Sequence, residues 1–321
     1  MVLDCETATL PFAAKIAGGD AEKKKRIAIA RPLIYDIGWT ITNRKGNISD
    51  RKQYLIAETF AVPSVYNTAY YAEKRPLYLE KIKKGEIAVK PWQEVMEIMI
   101  ADLDTVDAVG AYNSMFDFKK AIPFTEEYIN KLYSPDYNSW EYFQKKLCEK
   151  IANERYKKDE DKDDFDGNIF AFRGQEYNLF DLWGLATQHL LNNPTYKKSC
   201  LENAMLTATG IYFKTSAESS YRYLTEKYDF DEAHTALEDA IIETYILSEI
   251  AKRSAIIPGI EFFPFRILGT TDEFVMRRKY PNVHEVDTVI EAINAYINEK
   301  EPSRYTTRLE NVIAKLIEYK G

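Results

Sequence analysis

Cysteine and histidine are both scarce in this sequence, with three of each in 321 residues. Cys5, Cys148 and Cys200 are widely separated and odd in number. That spacing excludes a disulfide framework and a paired-cysteine zinc site, and it fits a reducing compartment. No run of about 18 apolar residues is present, so no transmembrane helix is expected. The opening residues MVLDCETATL carry two acids where a secretion signal needs an apolar core. These absences lead to the expectation of a soluble, cytoplasmic protein with no membrane partner. A basic excess is missing as well: the net charge is −7 and the isoelectric point about 5.3. An acidic balance argues against a phosphate-rich partner, unless the acids are gathered in one site and neutralised there by divalent metal. Local basic runs do exist, at Lys23-Lys24-Lys25-Arg26, Lys119-Lys120, Lys197-Lys198 and Arg277-Arg278-Lys279. Ordinary solvated faces carry such runs too.

Apolar positions make up 45% of the chain, ample for a sizeable core. The pattern along it predicts a first strand over Val2 to Glu6 and a second over Leu33 to Ile41. The turn signal Asn43-Arg44-Lys45-Gly46-Asn47 and a returning strand over Gln53 to Phe60 complete a hairpin. Pro91 opens a helix with the stripe Trp92, Val95, Met96, Met99, Ile100 and Leu103, the 3.6-residue period of an amphipathic helix. Ala108 to Tyr112 predicts a buried strand, and Asn113 a cap for the next helix. Residues 121–175 look irregular and mostly helical, with a charged loop at 157–168. Asp181 is expected to cap a further helix, and Thr235 to Ile250 forms a strong one. The order implies an α/β domain with a mixed central β-sheet flanked by α-helices. It occupies residues 1–250, with a helical insertion at about 121–175 and a mostly helical C-terminal appendage at 251–321.

Three short segments concentrate carboxylates. Asp4 and Glu6 lie two apart on the first strand, so alternation puts them on one face. Two adjacent carboxylates on an otherwise apolar strand repel each other unless a cation joins them; solvated acids at a strand edge are the alternative. Asp117 lies one turn into the helix after the buried strand, a position that helix N-termini also favour for acids without any ligand. His234 stands just before the helix that carries Asp239 one turn in. A lone histidine is most often structural. A histidine and a carboxylate converging on the same cavity as the other acids form a more specific pattern.

Taken in order, the segments Asp4-Cys5-Glu6-Thr7-Ala8-Thr9-Leu10, Asn113 to Asp117 and His234 to Asp239 match the motifs D-x-E-T followed by leucine, N-x-x-F-D and H-x-A-x-x-D. The chain thereby resembles the DEDDh exonucleases of the RNase H-like fold, a family that includes proofreading subunits of bacterial polymerases, RNase T and oligoribonuclease. The resemblance spans roughly residues 1–250. It departs from the family at Thr9, often a glycine there, in a longer link from Leu10 to Pro32, and in the insertion before His234.

The resemblance implies an RNase H-like fold and a 3′–5′ exonuclease releasing nucleoside 5′-monophosphates. Asp4, Glu6, Asp117 and Asp239 would hold two Mg²⁺ or Mn²⁺ ions, and His234 would be the general base. Its ordinary pKa near 6.5 suits that role. Thr7, Leu10 and Asn113 would contact the terminal nucleotide, although Asn113 also reads as a simple cap. The expected partner is nucleic acid, with a single-stranded DNA 3′ end favoured. RNA trimming is the first alternative, and a catalytically retired binding module the second. No polymerase motif accompanies the exonuclease region, so a stand-alone nuclease is expected, or a proofreading subunit acting in trans with a polymerase partner; the appendage from about 251 is a candidate for core packing, substrate binding or homodimer formation.

Overall fold

The computed structural model describes residues 1–11, 18–21, 23, 27–28, 31–43, 45–135, 142, 145–146, 149, 169–207 and 212–252, with 294, 298, 310, 313–314 and 317 beyond them. Two compact units are distinguished. The first comprises Met1–Trp183 with Asp231–Glu261, and the second is formed in its described part by Gly184–Phe230.

The first unit is built on seven strands: β1 Val2–Thr9, β2 Pro32–Thr42, β3 Ile48–Ile56, β4 Ala88–Lys90, β5 Val109–Ala111, β6 Ile169–Phe172 and β7 Gln175–Asp181. Their order in the sheet is β4-β3-β2-β1-β5-β7-β6. The β1–β2, β2–β3 and β6–β7 pairs are antiparallel, whereas β3–β4, β1–β5 and β5–β7 are parallel. The sheet is therefore mixed, as an α/β reading expects. β1 and β2 are buried along most of their length, so both faces are covered; β2 accordingly runs mostly apolar, whereas β1 interrupts its apolar residues with Asp4 and Glu6.

Helices lie on both faces. Helix α1 spans Arg75–Lys83, α2 Trp92–Leu103, α3 Ile122–Leu132 and α7, the longest among the described residues, Ala236–Ala251; α4, Leu182–Leu191, belongs to the second unit from Gly184 onward. Trp39 and Thr40 are neighbours on β2 and point to opposite faces. Trp39 Nε1 donates to Asp102 of α2 at 2.8 Å, while Thr40 Oγ1 meets Thr244 Oγ1 of α7 at 2.5 Å. Two residues before Thr40 and on the same face, Gly38 lets α7 approach the strand: a Cβ there would lie 2.7 Å from Ala236 C and Leu237 Cα and would also strike the Leu237 amide nitrogen. Those are backbone atoms of a helix, which cannot give way cheaply.

The described part of the second unit holds α5, Pro194–Glu202, and α6, Ala217–Thr225. Each is capped as its sequence suggests: Asn193 accepts from Thr195 N and Ser216 from Ser219 N. Buried Tyr196 meets Tyr223 edge to face at 4.9 Å.

Several local expectations change. The returning strand begins at Ile48 and ends at Ile56, followed by a short helical turn at Ala57–Phe60. Its first half is polar because that half is exposed, which masks it in an apolar count. Asn113 flanks the short helical turn Ser114–Phe116 but makes no side-chain cap. Ser114 closes that turn instead, its Oγ donating to Phe180 O at 2.7 Å and accepting from Ala111 N at 2.9 Å. Asp181 is the last residue of β7, directly before the helix Leu182–Leu191, and its carboxylate accepts the Ser114 N–H at 3.1 Å. The β6–β7 hairpin was not expected. Its turn is Arg173-Gly174, both with positive φ, the geometry that matches the twist of a two-residue hairpin. The middle of the expected insertion and nearly all of the C-terminal appendage, with the Arg277-Arg278-Lys279 run, lie outside the described residues. No helix among the described residues is long and apolar enough to cross a membrane.

Candidate active site

β1 runs antiparallel to β2 with Asp4 opposite Gly38 and Glu6 opposite Asp36. Paired residues on neighbouring strands share a face. Asp4 and Glu6 therefore face the side against which α7 packs. The close approach at Gly38 brings the first turn of that helix onto this face. A register shift between Glu6 and Thr7 interrupts the pairing where the carboxylates end.

Asp36 anchors the helix start. It is fully buried and accepts from Ala236 N at 3.0 Å, Tyr78 Oη at 2.9 Å and Gln53 Nε2 at 2.9 and 3.0 Å. Burial raises its carboxyl to about 6 even against these hydrogen bonds, which favour the charged form. One orphan N–H of the α7 N-terminus is thus satisfied from the sheet rather than from the preceding residue, and Thr235 makes no cap of its own to that helix.

With α7 so placed, its inward residues line the carboxylates of β1. Asp239 is 6% exposed. Its carboxylate accepts the His234 N–H. The Asp239 Oδ1 atom is buried with no hydrogen-bond partner among the described residues. One ligand atom each from Glu6, His234 and Asp239 lies within 4.8 Å of the others. His234 Nδ1 is 4.0 Å from Asp239 Oδ2 and 3.8 Å from Glu232 Oε2. His234 takes φ +51°, a left-handed conformation uncommon for a residue with a side chain and one that surrounding contacts must hold. Its ring stacks on Tyr71 at 4.3 Å and 15°.

Asp117 is buried at the start of the π-helical turn Asp117–Ala121 and receives hydrogen bonds from Cys5. Burial raises its carboxyl to about 8, and burial with the charge of Asp4 raises Asp239 to about 9. Asp4 is driven well above the usual range by burial and then by Asp117 and Glu232; Glu6 is raised by burial and then by Asp4. Each acid stands in the field of the others, and their like charges raise one another's affinity for a proton. Lys74 is the cation that offsets both Glu6 and Asp239.

The four acids and the histidine singled out in the sequence thus converge on one region. The remaining three candidates behave differently. Thr7 is half-buried just past the register shift, and Asn113 is exposed beside the Asp117 turn. Leu10 is fully buried in the apolar core, and in this conformation it offers no surface to a base.

Four participants escaped the sequence reading. Glu243, one turn beyond Asp239, is buried and accepts Tyr112 N–H at 3.2 Å, tying α7 to the end of β5. Its carboxyl is raised by burial and then by Asp4 and Asp117. Glu232, Asp36 and Tyr71 complete the surroundings. The single acid in the apolar run of β2 and the i,i+4 spacing of Asp239 and Glu243 were available signals. Nothing in the sequence pairs Tyr71 with a histidine 163 positions away. No family model matches the chain, and the searches of curated proteins and of solved structures return no match.

Proposed function

We propose that this chain is a metal-dependent 3′–5′ exonuclease with an RNase H-like core, acting on the 3′ end of a nucleic-acid strand, DNA in the first instance. The observation that carries the reading is the buried Asp239 Oδ1, an acceptor without a partner among the described residues, with Glu6, His234 and Asp239 each offering a ligand atom within 4.8 Å of the others. A buried carboxylate oxygen with no donor is costly unless a cation meets it. A set of carboxylates with one imidazole suits a hard divalent ion such as Mg²⁺ or Mn²⁺, and burial keeps the neighbouring Cys5 thiol, which meets Asp117, protonated. The strand order around β1 and the three motif segments support the same reading.

Asp4, Glu6, Asp117 and Asp239 are the residues that would hold the ions. Bound divalent ions supply charge stabilisation at the phosphate and lower the pKa of the attacking water. The rest of the chemistry falls to the chain itself. The water oxygen attacks phosphorus and the bond to the 3′ oxygen of the preceding nucleotide breaks. His234 takes the water proton at its ring. The Glu232 carboxylate, 3.8 Å from Nδ1, stabilises the imidazolium that results. The product is a nucleoside 5′-monophosphate.

The test is incubation of 5′-labelled single-stranded DNA and RNA with the protein in Mg²⁺ or Mn²⁺, and in EDTA. Stepwise shortening from the 3′ end with metal, and none in EDTA, is expected. Intact strands of both polymers with metal present would overturn the reading. The two arms also decide which polymer is degraded.

A further inference from the structure

We propose that Tyr71 is a positioning residue: its ring, stacked on His234, holds the imidazole in the orientation that proton transfer needs. The inference rests on the exonuclease reading above and extends it to a residue outside the three motif segments.

The His234 and Tyr71 rings are nearly parallel, 15° apart, with centroids at 4.3 Å. Face contact over that distance fixes the ring plane, which a histidine on a loop does not otherwise inherit from its backbone. The backbone is gripped by the same short segment. Tyr71 leads into the 3-10 turn Ala72–Lys74, whose last amide donates to Tyr71 O at 3.0 Å. Lys74 Nζ stands 4.5 Å from the Tyr71 ring centroid and donates to the carbonyl of Ala233, the residue before His234. A cation over the ring and a hydrogen bond to the adjacent peptide thus fasten one segment at two points.

Two further ties secure the arrangement from α1, which follows directly. Lys81 Nζ pairs with Glu238 Oε1 at 3.2 Å. Tyr78 donates to Asp36, which holds the Ala236 N–H. Residues 71–81 therefore bind residues 233–238 by a stack, a peptide hydrogen bond, an ion pair and a shared carboxylate. Left-handed backbone at His234 is the kind of strained conformation that persists only when its neighbours over-determine it. Tyr71 itself is half-buried, and burial followed by the charge of Glu6 raises its hydroxyl above the usual phenol range. The hydroxyl stays neutral, and it is the ring that acts.

A role confined to packing would make Tyr71 matter to stability alone. A positioning role separates kcat from KM and depends on the ring rather than the hydroxyl. Tyr71→Leu and Tyr71→Phe are measured on the labelled strand at a temperature where circular dichroism shows both folded. Tyr71→Leu is expected to lower kcat by roughly 10- to 100-fold, within the contribution typical of a placed general base, with KM changed by less than about 3-fold. Tyr71→Phe is expected to stay within about 2-fold of the parent.

A second readout uses the metal-free protein in EDTA and needs no activity. The His234 ring protons, assigned by their loss in His234→Asn, should resonate upfield in the parent and in Tyr71→Phe through the ring current. They should move downfield in Tyr71→Leu. A parent that cleaves while Tyr71→Leu retains full kcat overturns the Tyr71 proposal and leaves the exonuclease reading standing. An unshifted His234 signal in the parent overturns the stack. A parent that does not cleave overturns the exonuclease reading, and the positioning role falls with it whatever the spectra show.

Discussion

Asp239 is the residue at which folding and function pull hardest against each other. It is buried, its Oδ1 has no donor among the described residues, and its carboxyl is raised to about 9 by burial and by Asp4. Replacing it by asparagine keeps the shape and removes the charge. In EDTA at pH 8.5, Asp239→Asn should melt at least as high as the parent, with a gain of about 2–4 °C for each kcal/mol of relieved repulsion. With Mg²⁺ the order should reverse, because only the parent gains from binding. Cleavage should fall on the order of 10²–10³-fold or more. Scanning calorimetry with and without metal checks the first two, and the labelled-strand assay the third. The acids Asp4, Glu6, Asp117 and Asp239, with His234, were legible only together, since the three motif spacings in order single them out and no one position does. Glu243 and Asp36 were not, because an isolated acid in an apolar run does not announce whether it faces a core, a cap or a cavity. The Tyr71–His234 stack had no local trace, as it depends on where two loops meet.

Among the elements, α7 decides the site, because it carries both His234 at its threshold and Asp239 in its first turn. Its placement depends on Gly38. Gly38→Ala should push Ala236 and Leu237 away from β2. Overpacking of this kind costs about 1–3 kcal/mol, so the urea midpoint should drop, and catalytic activity should fall further than stability alone accounts for. An alanine variant with parental midpoint and parental cleavage would contradict the role given to the close approach. The helix itself was readable from the sequence to within a residue at each end. Its tight seat on β2 was not, since a strand glycine signals a close approach without naming what approaches. The β6–β7 hairpin shows the opposite failure. Its turn pair Arg173-Gly174 was visible, but a neighbouring charged segment outweighed it, so β6 fell within the irregular, mostly helical stretch expected at 121–175 and β7 was given no element.

For the whole molecule, the acidic cluster links stability to pH and to divalent metal. Asp117 and Asp239 have folded-state values raised to about 8 and about 9, against about 4 in an unfolded chain. A raised carboxyl binds its proton more tightly in the folded state. The stability it contributes is therefore complete below pH about 4 and is lost as pH rises through 8 and 9. In EDTA the melting temperature should decline steadily between about pH 5 and pH 9. Saturating Mg²⁺ should flatten that decline, since the ion replaces the protons. A melting temperature that rises with pH in EDTA, or the same slope with and without Mg²⁺, would contradict it. The net charge of −7 looked unfavourable for a nucleic-acid partner until this concentration of acids was located. The mixed α/β architecture was legible from the order of apolar segments. The separation of Gly184–Phe230 as a unit of its own was not, because it turns on which helices share a core rather than on any boundary signal in the sequence.

The central claim is that the acids of β1, the Asp117 turn and α7 form one divalent-cation site. A Mn²⁺ titration of the metal-free protein at pH 7.5, read as the free-ion electron paramagnetic resonance signal, tests it most directly. The account predicts that the parent removes Mn²⁺ from solution saturably, that Mg²⁺ competes for the same site, and that Asp239→Asn leaves the free-ion signal at its protein-free level. Parental protein that leaves the signal undiminished, or an Asp239→Asn variant that binds as the parent does, would contradict it.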